Sequence, residues 1–483
     1  MKRIFSVLLT VCLLLGLAGI GAAAVDTPYA LYAEEFHAIA LRPDDTVWAW
    51  GYNWAGQLGD GTLGDRSTPI IIPGLSGVVA IAAGDGHTVA LKEDGTVWAW
   101  GRGENGQLGL GTVYRSVRRP MQAVGISDVI AVAAGSGHSV ALKSDGTVWY
   151  CGMEYDKGSL GNNTATDTLV FTKVNISGVV DIAAKNSQTF ALKSDGTVWA
   201  WGYNFSGYLG DGTREDRHTP VQVVGLTDVT AIATGGYHTF AWKADGTIWA
   251  WGDNQFGQFG NGKQTSSFVP VEVPELTDIA AIAAHNSYTM LLKTDGTVWT
   301  CGLSNFGSRL DDGSEPHYVP TQVPGLTDVV AVAAGLFFAA ALQSDGTIWC
   351  WGHNEFGQLG DGTTFNSSYP VQILGAVEVT LPEDYEDTFT DPYVVIGSQS
   401  ITAASITPEI TWNESAMRLE IAEGLPVGTY QATLEASDDE GHSATKAVTI
   451  RVVRTIFGTK YESTIWNWIK FVVLFGWVWM WFI

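Results

Sequence analysis

The sequence predicts an all-β protein whose main part is a seven-bladed β-propeller. The motif Asp-Gly-Thr-Val-Trp-Ala-Trp-Gly, complete at residues 94–101, returns with small changes at intervals of 50 or 51 residues. A repeat of that length is typical of a unit that buries its apolar faces only against its neighbours. Seven such units fall within the usual range of four to eight blades for a closed ring. The copies begin at Asp44, Asp94, Asp145, Asp195, Asp245, Asp295 and Asp345.

Each repeat contains the pattern of four strands, named a to d in chain order. In the second repeat, strand a is the small-residue run at 80–83, strand b is 87–92 and strand c is the tryptophan-rich run at 97–101. Strand d is led by proline, as at residues 220–224. The small residues predict that strand a lies innermost, where the blades converge on the axis. The first repeat is atypical, as terminal repeats often are, because Glu34-Glu35-Phe36 replaces the usual Gly-x-x before the histidine.

The turn between strands b and c sets which residues share a face. The Asp-Gly pair predicts a two-residue type I′ turn, because both residues tolerate a positive φ. That register places Leu91 opposite Trp98 and Val89 opposite Trp100. Directly opposed residues share a face, so one face would be bulky and the other built of small residues such as Ala90. We therefore expect the bulky face of each blade to pack on the small face of the next.

Three segments of the repeat resemble a known family. They read Gly-x-x-His-Thr-x-Ala-Leu, then Asp-Gly-Thr-Val-Trp-Ala-Trp-Gly-x-Asn, then Gly-Gln-Leu-Gly-Asp-Gly-Thr, and they recur over residues 29–375. This pattern resembles the regulator of chromosome condensation repeat, which implies a seven-bladed propeller over residues 25–375. The Gly-Gly doublet of Kelch repeats occurs only once, at residues 235–236. The resemblance does not bring the exchange-factor function with it, because one fold hosts many functions.

Residues 1–24 have the pattern of a secretory signal peptide. Lys2 and Arg3 precede an apolar run that ends in three alanines at residues 22–24, a small-residue cleavage site. We therefore expect the protein to be exported.

Residues 376–454 predict a small β-sandwich. Alternating apolar residues at 430–436 and 444–452, joined by a polar turn, are typical of a hairpin in such a domain. The segment resembles the immunoglobulin-like or cadherin-like modules of bacterial surface proteins, although it lacks the immunoglobulin Cys-Trp-Cys pattern. Asp438, Asp439 and Glu440 fit a solvated turn better than a calcium site.

The last segment, residues 455–483, is predicted to be a linker and a hydrophobic tail. Residues 465–483 contain a single charge, Lys470, and five tryptophans. This composition favours a hydrophobic C-terminal helix that associates with a membrane. Whether the tail spans the membrane, lies on it or is cleaved from it stays open.

Charge and cysteine content exclude several classes of function. Lys and Arg number 26 against 50 Asp and Glu, a net charge of −24, which repels nucleic acid. Cys12 lies within the signal segment. Cys151, Cys301 and Cys350 lie in blades where they are not placed to pair, so buried thiols are expected rather than a disulfide framework.

No motif in the sequence assembles an active site. Residues 101–106 match a dinucleotide fingerprint and residues 257–263 most of a phosphate-binding loop, but both are ordinary repeat segments without a βαβ unit. We therefore expect no catalytic residue, cofactor or metal, and no enzymatic activity. A structural role is favoured for the histidine that recurs once per blade, because other residue types fill its slot elsewhere. The seven residues of this slot are His37, His87, His138, Gln188, His238, Tyr288 and Phe338.

The leading functional hypothesis is an exported cell-surface protein whose monomeric propeller binds a protein or glycan. The alternative is a secreted inhibitor of an extracellular enzyme, because a β-lactamase inhibitory protein shares this propeller type. An enzyme and a nucleotide-exchange factor are less favoured.

The partner is expected on the face that carries the a–b and c–d loops, opposite the near-constant Asp-Gly turns. Loop variation between repeats marks positions freed from packing, and Arg and Tyr often dominate binding energy. The predicted partner-binding residues are Tyr114, Arg115, Arg118, Arg214, Arg217, His218, His317, Tyr318, Phe365 and Tyr369.

Overall fold

The structure is a computed structural model with two compact units. The first unit contains the chain up to Gly360 together with Thr364–Ile373, and the second contains Asp361–Thr363 and Leu374–Ile483. In the first unit the structure describes residues 30–42, 46–154, 158–163, 166–303, 317–360 and 364–373, and in the second it describes residues 361–363 and the backbone of ten strands between residues 377 and 482.

The first unit is built of seven four-stranded antiparallel sheets, each formed by four consecutive strands in the order a-b-c-d. The a strands are Ala30–Glu34, Val78–Ala83, Val129–Ala134, Val179–Lys185, Val229–Thr234, Ile279–His285 and Val329–Ala334. The b strands are His37–Leu41, His87–Lys92, His138–Lys143, Gln188–Lys193, His238–Lys243, Tyr288–Lys293 and Phe338–Gln343. The c strands are Val47–Gly51, Val97–Gly103, Val148–Gly152, Val198–Gly202, Ile248–Gly252, Val298–Gly302 and Ile348–Gly352. The d strands are Arg66–Ile71, Tyr114–Gln122, Thr168–Lys173, Arg217–Gln222, Ser267–Glu272, His317–Gln322 and Ser367–Gln372.

The seven sheets, called blades 1 to 7, form a closed ring. Each a strand contacts the a strand of the next blade, and that of blade 7 contacts that of blade 1. The predicted seven-bladed propeller is thus confirmed. The d strand of blade 7 pairs with the c strand of its own blade, so the ring closes without exchange of a strand.

The a strands lie innermost, as their small residues predicted. Residues of all seven a strands, mostly alanines, line a central cavity of about 360 Å³. A short side chain at this position lets seven backbones approach one axis, which bulky residues would prevent.

The predicted register of the b–c hairpin is wrong by one residue. Leu91 pairs with Val97 rather than Trp98. The Gly95 N–H donates to the Lys92 carbonyl at 2.9 Å and the Lys92 N–H to the Thr96 carbonyl at 3.0 Å, which makes a three-residue loop. Gly95 adopts φ 78°, the left-handed residue that follows a type I turn in such loops.

This change of register also changes the faces of each blade. Trp98 and Trp100 share a face with Thr88 and Ala90, since these residues pair directly. The predicted division into a bulky and a small face is therefore wrong, and each face mixes large and small side chains. The second tryptophan of the motif is fully buried in five blades, whereas the first is half-buried in all but blade 1. The fully buried members are Trp50, Trp100, Trp201, Trp251 and Trp351.

The second tryptophan and a hydroxyl join neighbouring blades. Trp100 Nε1 and Thr88 Oγ1 of blade 2 both donate to the Gln57 carbonyl of blade 1, at 2.8 and 3.0 Å. In blade 3, Cys151 occupies the tryptophan position, and its Sγ lies 3.5 Å from the Gln107 carbonyl of blade 2. The repeated glutamine carbonyl is therefore an acceptor at the interfaces between blades.

The cysteines behave as predicted. Cys151, Cys301 and Cys350 are all buried thiols in the described part of the chain, and no disulfide joins them. Burial raises the pKa of the Cys301 thiol to about 12, so this group stays protonated and unreactive at neutral pH.

The second unit contains the predicted hairpin, in which Gly428–Ser437 pairs antiparallel with Ser443–Val453. It belongs to a four-stranded sheet that also includes Val377–Pro382 and Ser400–Ser405. The remaining strands are Thr388–Phe389, Val394–Val395, Ile410–Asn413, Arg418–Ile421, Ile469–Leu474 and Trp477–Phe482. The immunoglobulin-like or cadherin-like assignment stays a prediction.

The prediction of a hydrophobic C-terminal helix is wrong for the residues of the tail that the structure describes. Ile469–Leu474 and Trp477–Phe482 are two antiparallel strands instead. Their sequence is rich in Val, Phe and Trp, and such β-branched and aromatic residues favour strands. Among the residues that the structure describes, no helix has the length and apolar character needed to cross a membrane. The predicted signal segment, residues 1–24, and the acidic turn at 438–440 lie outside the described residues.

Candidate functional site

The a–b and c–d loops emerge on the same face of the ring, as predicted, and this side is called the loop face. In blade 1 the ring of Phe36, from the a–b loop, lies 6.2 Å from that of Tyr52, from the c–d loop. On the opposite side, the Glu93 N–H of a b–c turn donates to the Gly77 carbonyl of a d–a connection at 2.9 Å. Each face of the disc therefore presents its own set of loops.

The ten predicted partner-binding residues all lie on strand d or in the loop before it, at the outer rim of the ring. They form separate groups on blade 2, on blade 4 and on blades 6 and 7, because the chain distributes d strands evenly around the ring. The structure therefore does not gather them into one surface that runs from rim to centre.

Several of these rim residues have contacts that stabilise the propeller. Arg217 Nε donates to Asp211 Oδ2 at 2.6 Å, inside its own c–d loop. The Arg214 guanidinium lies 4.4 Å from the centre of the Phe268 ring on blade 5. Tyr318 packs so closely against the preceding blade that a Cβ added to Gly257 would lie 2.7 Å from its Cα. Variation at these positions reflects different ways of filling one interface between blades.

The most exposed aromatic residues of the rim are available for contact. Phe365 is 77% and Tyr369 64% exposed, and both lie in blade 7. Tyr114 is 37% exposed in blade 2. The rim thus offers exposed aromatic side chains on blades 2 and 7.

A first aromatic cluster lies on the loop face where blade 7 meets blade 1. The rings of Tyr52 and Phe356 are 4.2 Å apart, and those of Phe36 and Phe356 are 5.2 Å apart. Phe337 and His353 complete the group, 6.0 and 5.9 Å from Phe36. All five side chains are half-buried, so each keeps part of its ring in contact with solvent.

A second aromatic cluster lies on the loop face at blades 4 and 5. Tyr203 and Phe205 stack at 6.3 Å with an interplanar angle of 8°, and Tyr208 and Tyr237 stack at 5.3 Å. Phe205 is 66% exposed. Burial raises the pKa of Tyr208 and Tyr237, so both phenols stay neutral hydrogen-bonding groups.

Charged side chains meet between the two aromatic clusters, near the axis. Glu34 ends strand a of blade 1, Lys185 ends that of blade 4 and His285 that of blade 6. The Lys185 ammonium forms an ion pair with Glu34 Oε2, and His285 Nε2 lies 3.5 Å from Glu34 Oε1. Glu35 and Asp85, on the neighbouring a–b loops, complete this axial cluster.

The pKa values of the axial carboxyl groups diverge. Burial opposes ionisation of Glu34, but the Lys185 ammonium holds its pKa well below the usual range. Burial, with the nearby carboxylates of Asp85 and Glu34, raises the pKa of Glu35 to about 8. Burial and the Glu34 carboxylate raise the pKa of Asp85 to about 6. The Lys185 ammonium thus stabilises the ionised form of Glu34, whereas the ionised forms of Glu35 and Asp85 remain destabilised.

The recurring histidines have a structural role, as the sequence indicated. Nε2 of His87 lies 3.0 Å from Ser139 Oγ, and Nε2 of His138 lies 3.0 Å from Thr189 Oγ1, each on the next blade. Burial lowers the pKa of His87 to about 3 and that of His138 to about 4. These rings are therefore neutral and buried, and they join neighbouring blades.

Sequence reasoning missed the axial and aromatic clusters, although two signals for them were present. One is the residue at the end of strand a, which is glycine in four repeats and a large polar residue in three. The other is the residue after the glycine that ends the tryptophan motif, which differs in every blade except blades 1 and 4. The members of the first slot are Glu34, Gly84, Gly135, Lys185, Gly235, His285 and Gly335. Those of the second are Tyr52, Arg102, Met153, Tyr203, Asp253, Leu303 and His353.

Family models match most of the propeller. The RCC1-like domain matches residues 25–230, and regulator of chromosome condensation repeats match residues 245–292 and 345–381. A second model of the same repeat matches residues 229–258 and 329–358. The chain belongs to the regulator of chromosome condensation repeat family.

Solved structures of this repeat family share the fold. Prp20p from Saccharomyces cerevisiae, described with its binding properties to Gsp1p and histones, is 25% identical with a TM-score of 0.62. That match covers 72% of this chain and 86% of Prp20p. Human WBSCR16 is 23% identical with a TM-score of 0.60, over 68% of this chain and 94% of that one, and this likeness shows the fold alone.

Among curated relatives, the E3 ubiquitin-protein ligase HERC2 of Homo sapiens is 32% identical over 130 residues. The HERC2 of Mus musculus matches equally well. The match covers 26% of this chain and only 3% of HERC2, so it compares a part of one repeat array. The comparisons thus show the family and the fold of this chain, but they do not show its partner.

Proposed function

We propose that this protein is an exported, non-catalytic binding protein that docks a protein partner on its loop face. The observation that carries the proposal is the presence of two aromatic clusters on that face, on either side of a charged centre. Large, partly exposed aromatic side chains are enriched at protein interfaces and account for much of their binding energy. The binding of Gsp1p and histones described for Prp20p gives a precedent for protein partners on this fold.

The position of the clusters also favours a large partner. The cluster around Phe36 lies where blades 7 and 1 meet, and that around Phe205 lies at blades 4 and 5. A ligand that contacts both must extend across the central axis, where the Asp85 carboxylate and the protonated Glu35 carboxyl group offer hydrogen-bonding oxygens. We therefore expect a protein whose contact surface places a basic or hydrogen-bonding group at its centre and apolar groups on either side.

Export and attachment belong to the same proposal. The signal-like segment at residues 1–24 supports secretion, and the tryptophan-rich tail at residues 465–483 supports retention at a membrane surface. In this arrangement the propeller is displayed outside the cell and meets partners there.

The test is capture of a partner by the full chain from cell-surface and extracellular extracts, followed by measurement of Kd for the partner that mass spectrometry identifies. The double variant Phe205→Ala/Tyr237→Ala removes two rings of the second cluster. A loss of roughly 2 kcal/mol or more, about 30-fold in Kd, is expected if these rings are central to the interface.

The matched control is Phe365→Ala/Tyr369→Ala, which removes two exposed aromatic rings from the rim. We expect it to bind as the wild type does. If the rim variant loses the partner and the Phe205 variant keeps it, the rim is the binding site and the loop-face proposal fails. Binding of glycans with no protein captured would also overturn it.

A further inference from the structure

The axial cluster contains a set of side chains that can act as metal ligands. One ligand atom each of Glu34, Glu35 and His285 lies within 4.8 Å of the other two. Glu34 is 4% and His285 1% exposed, so the group is enclosed by protein. These residues come from blades 1 and 6, and only the closed ring brings them together.

The imidazole of His285 is buried against the Glu34 carboxylate. Its Nδ1 has no hydrogen-bond partner, and its Nε2 makes only a long contact with Glu34 Oε1, at 3.5 Å. A buried polar atom without a partner costs free energy, of the order of 1–3 kcal/mol. By contrast, three of the four strand b histidines bond to a hydroxyl of the next blade, as His238 Nε2 does to Thr289 Oγ1 at 2.7 Å, and only His37 lacks a partner at both ring nitrogens.

Only three of the seven repeats carry a side chain at the position of Glu34, Lys185 and His285. At the end of strand a, a side chain is excluded from four blades, because a Cβ added to Gly84 would lie 2.4 Å from the Gly135 carbonyl. The three blades that carry a side chain there have Glu34, Lys185 and His285, and all three converge on one point. An apolar filling would meet the packing need equally well, so packing alone does not account for this choice.

The cluster contains more carboxyl groups than its one ammonium can contact. The carboxyl groups of Glu34, Glu35 and Asp85 lie near the ammonium of Lys185, and the Arg102 guanidinium acts on Asp85 from the loop of blade 2. Lys185 contacts Glu34 through Oε2, which leaves Oε1 directed at His285. A divalent cation between Oε1, Glu35 and the imidazole would bind Glu35 in its deprotonated form, while Lys185 stays on Oε2 of Glu34.

We propose that Glu34, Glu35 and His285 form a binding site for a divalent transition-metal ion, with Zn²⁺ as the best fit. Two carboxylates and an imidazole suit Zn²⁺, whereas Ca²⁺ and Mg²⁺ prefer oxygen ligands alone. Zinc ligands lie about 2.0–2.2 Å from the ion, so the three atoms approach to about 3.3 Å from one another. Rotation of the Glu34 and Glu35 side chains supplies this movement. The ion would link the ends of the a strands of blades 1 and 6 near the axis.

The experiment uses the full chain, stripped with EDTA, dialysed and titrated with ZnCl₂ in a calorimeter, with CaCl₂ and MgCl₂ as comparators. One equivalent of Zn²⁺ is expected to bind and to raise the Tm, with neither comparator doing so. CoCl₂ in place of zinc is expected to give a visible absorption band from a nitrogen- and oxygen-ligated site.

The variants locate the site. Glu35→Gln and His285→Gly are each expected to weaken Zn²⁺ binding by at least tenfold, and glycine is the residue that four sister blades carry in the slot of His285. Glu104→Gln, an exposed carboxylate on the same face, is the matched control and is expected to bind zinc as the wild type does. Circular dichroism of Glu35→Gln checks that loss of binding is not loss of fold.

Two outcomes would overturn the proposal. One is a wild-type chain that binds no zinc under these conditions. The other is zinc binding that persists in both Glu35→Gln and His285→Gly, since the ion would then occupy an unrelated surface site. The proposal stands apart from partner binding, because the titration contains no partner.

Discussion

Acid is expected to destabilise the propeller through its buried histidines, and His138 offers the clearest case. Its side chain is 1% exposed, its Nε2 lies 3.0 Å from Thr189 Oγ1 of the next blade, and burial alone lowers its pKa from 6.5 to about 4. The folded protein therefore keeps this ring neutral at pH values where the unfolded chain protonates it. Stability is fully present above pH 6.5 and is lost as the pH falls from there towards 4.

The magnitude follows from the two pKa values. Each unit between them corresponds to about 1.4 kcal/mol, and integration from pH 7 to pH 5 gives a loss of about 2 kcal/mol from His138. The substitution His138→Gln removes the titrating group. Glutamine is tolerated in this slot, because Gln188 fills it in blade 4, fully buried and donating from Nε2 to the Tyr203 carbonyl at 3.1 Å.

The assay is urea unfolding of the full chain at pH 7 and pH 5, followed by tryptophan fluorescence. Between these pH values His138→Gln is expected to lose about 2 kcal/mol less than the wild type, whatever the substitution costs at pH 7. His218→Gln, the same substitution at an exposed histidine, controls for the exchange of histidine for glutamine itself. Equal losses for His138→Gln and the wild type would refute a neutral, buried His138.

Three further predictions concern packing and location. Trp201→Ala is expected to destabilise the fold by about 3–5 kcal/mol, because Trp201 is fully buried. Trp199→Ala is expected to cost roughly 1–2 kcal/mol, because Trp199 is half-buried. Equal urea midpoints for the two variants would contradict this difference. Gly357 and Gly74 have nearly the same φ, 75° and 73°, but a Cβ would lie 2.4 Å from Ser67 Cα at Gly357 and meet nothing within 4 Å at Gly74. Gly357→Ala is therefore expected to lower the Tm more than Gly74→Ala, since only the former disturbs the junction of blades 7 and 1, and a similar Tm for both would show that junction to be loose. Deletion of residues 465–483 is expected to release the protein from the membrane fraction. A full-length protein that is already soluble would contradict membrane attachment through this tail.

The amino-acid sequence by itself determined the architecture. Seven copies of one motif predicted seven blades, and the alanines at residues 80–83 predicted which strand lies on the axis. Alternation of loops and turns also predicted which connections share a face. These features follow from local patterns, since strand period, turn residues and side-chain volume act within a single repeat.

The register of the b–c hairpin was harder to predict from the sequence, because it changes when the loop is longer by a single residue. The Thr96 N–H and hydroxyl both donate to Asp94 Oδ1, at 2.9 and 2.6 Å, and this contact favours a three-residue loop over the two-residue turn expected from Asp-Gly. A shift of one residue gives Trp98 and Trp100 different partners on strand b, and so it changes both faces of every blade. The Asp94–Thr96 contact accompanies this loop in the structure.

Only the tertiary structure placed the candidate site. Glu34, Lys185 and His285 are separated by 151 and 100 residues in the chain, and no local pattern connects them. Closure of the ring brings the ends of their a strands to one axis, where charges that would be unremarkable in solvent become buried and coupled. In the same way, Phe36 of blade 1 and Phe356 of blade 7 form a cluster because the first and last blades are neighbours. Sequence periodicity sets the shape of each blade, but contacts across the axis exist only once all seven blades have closed.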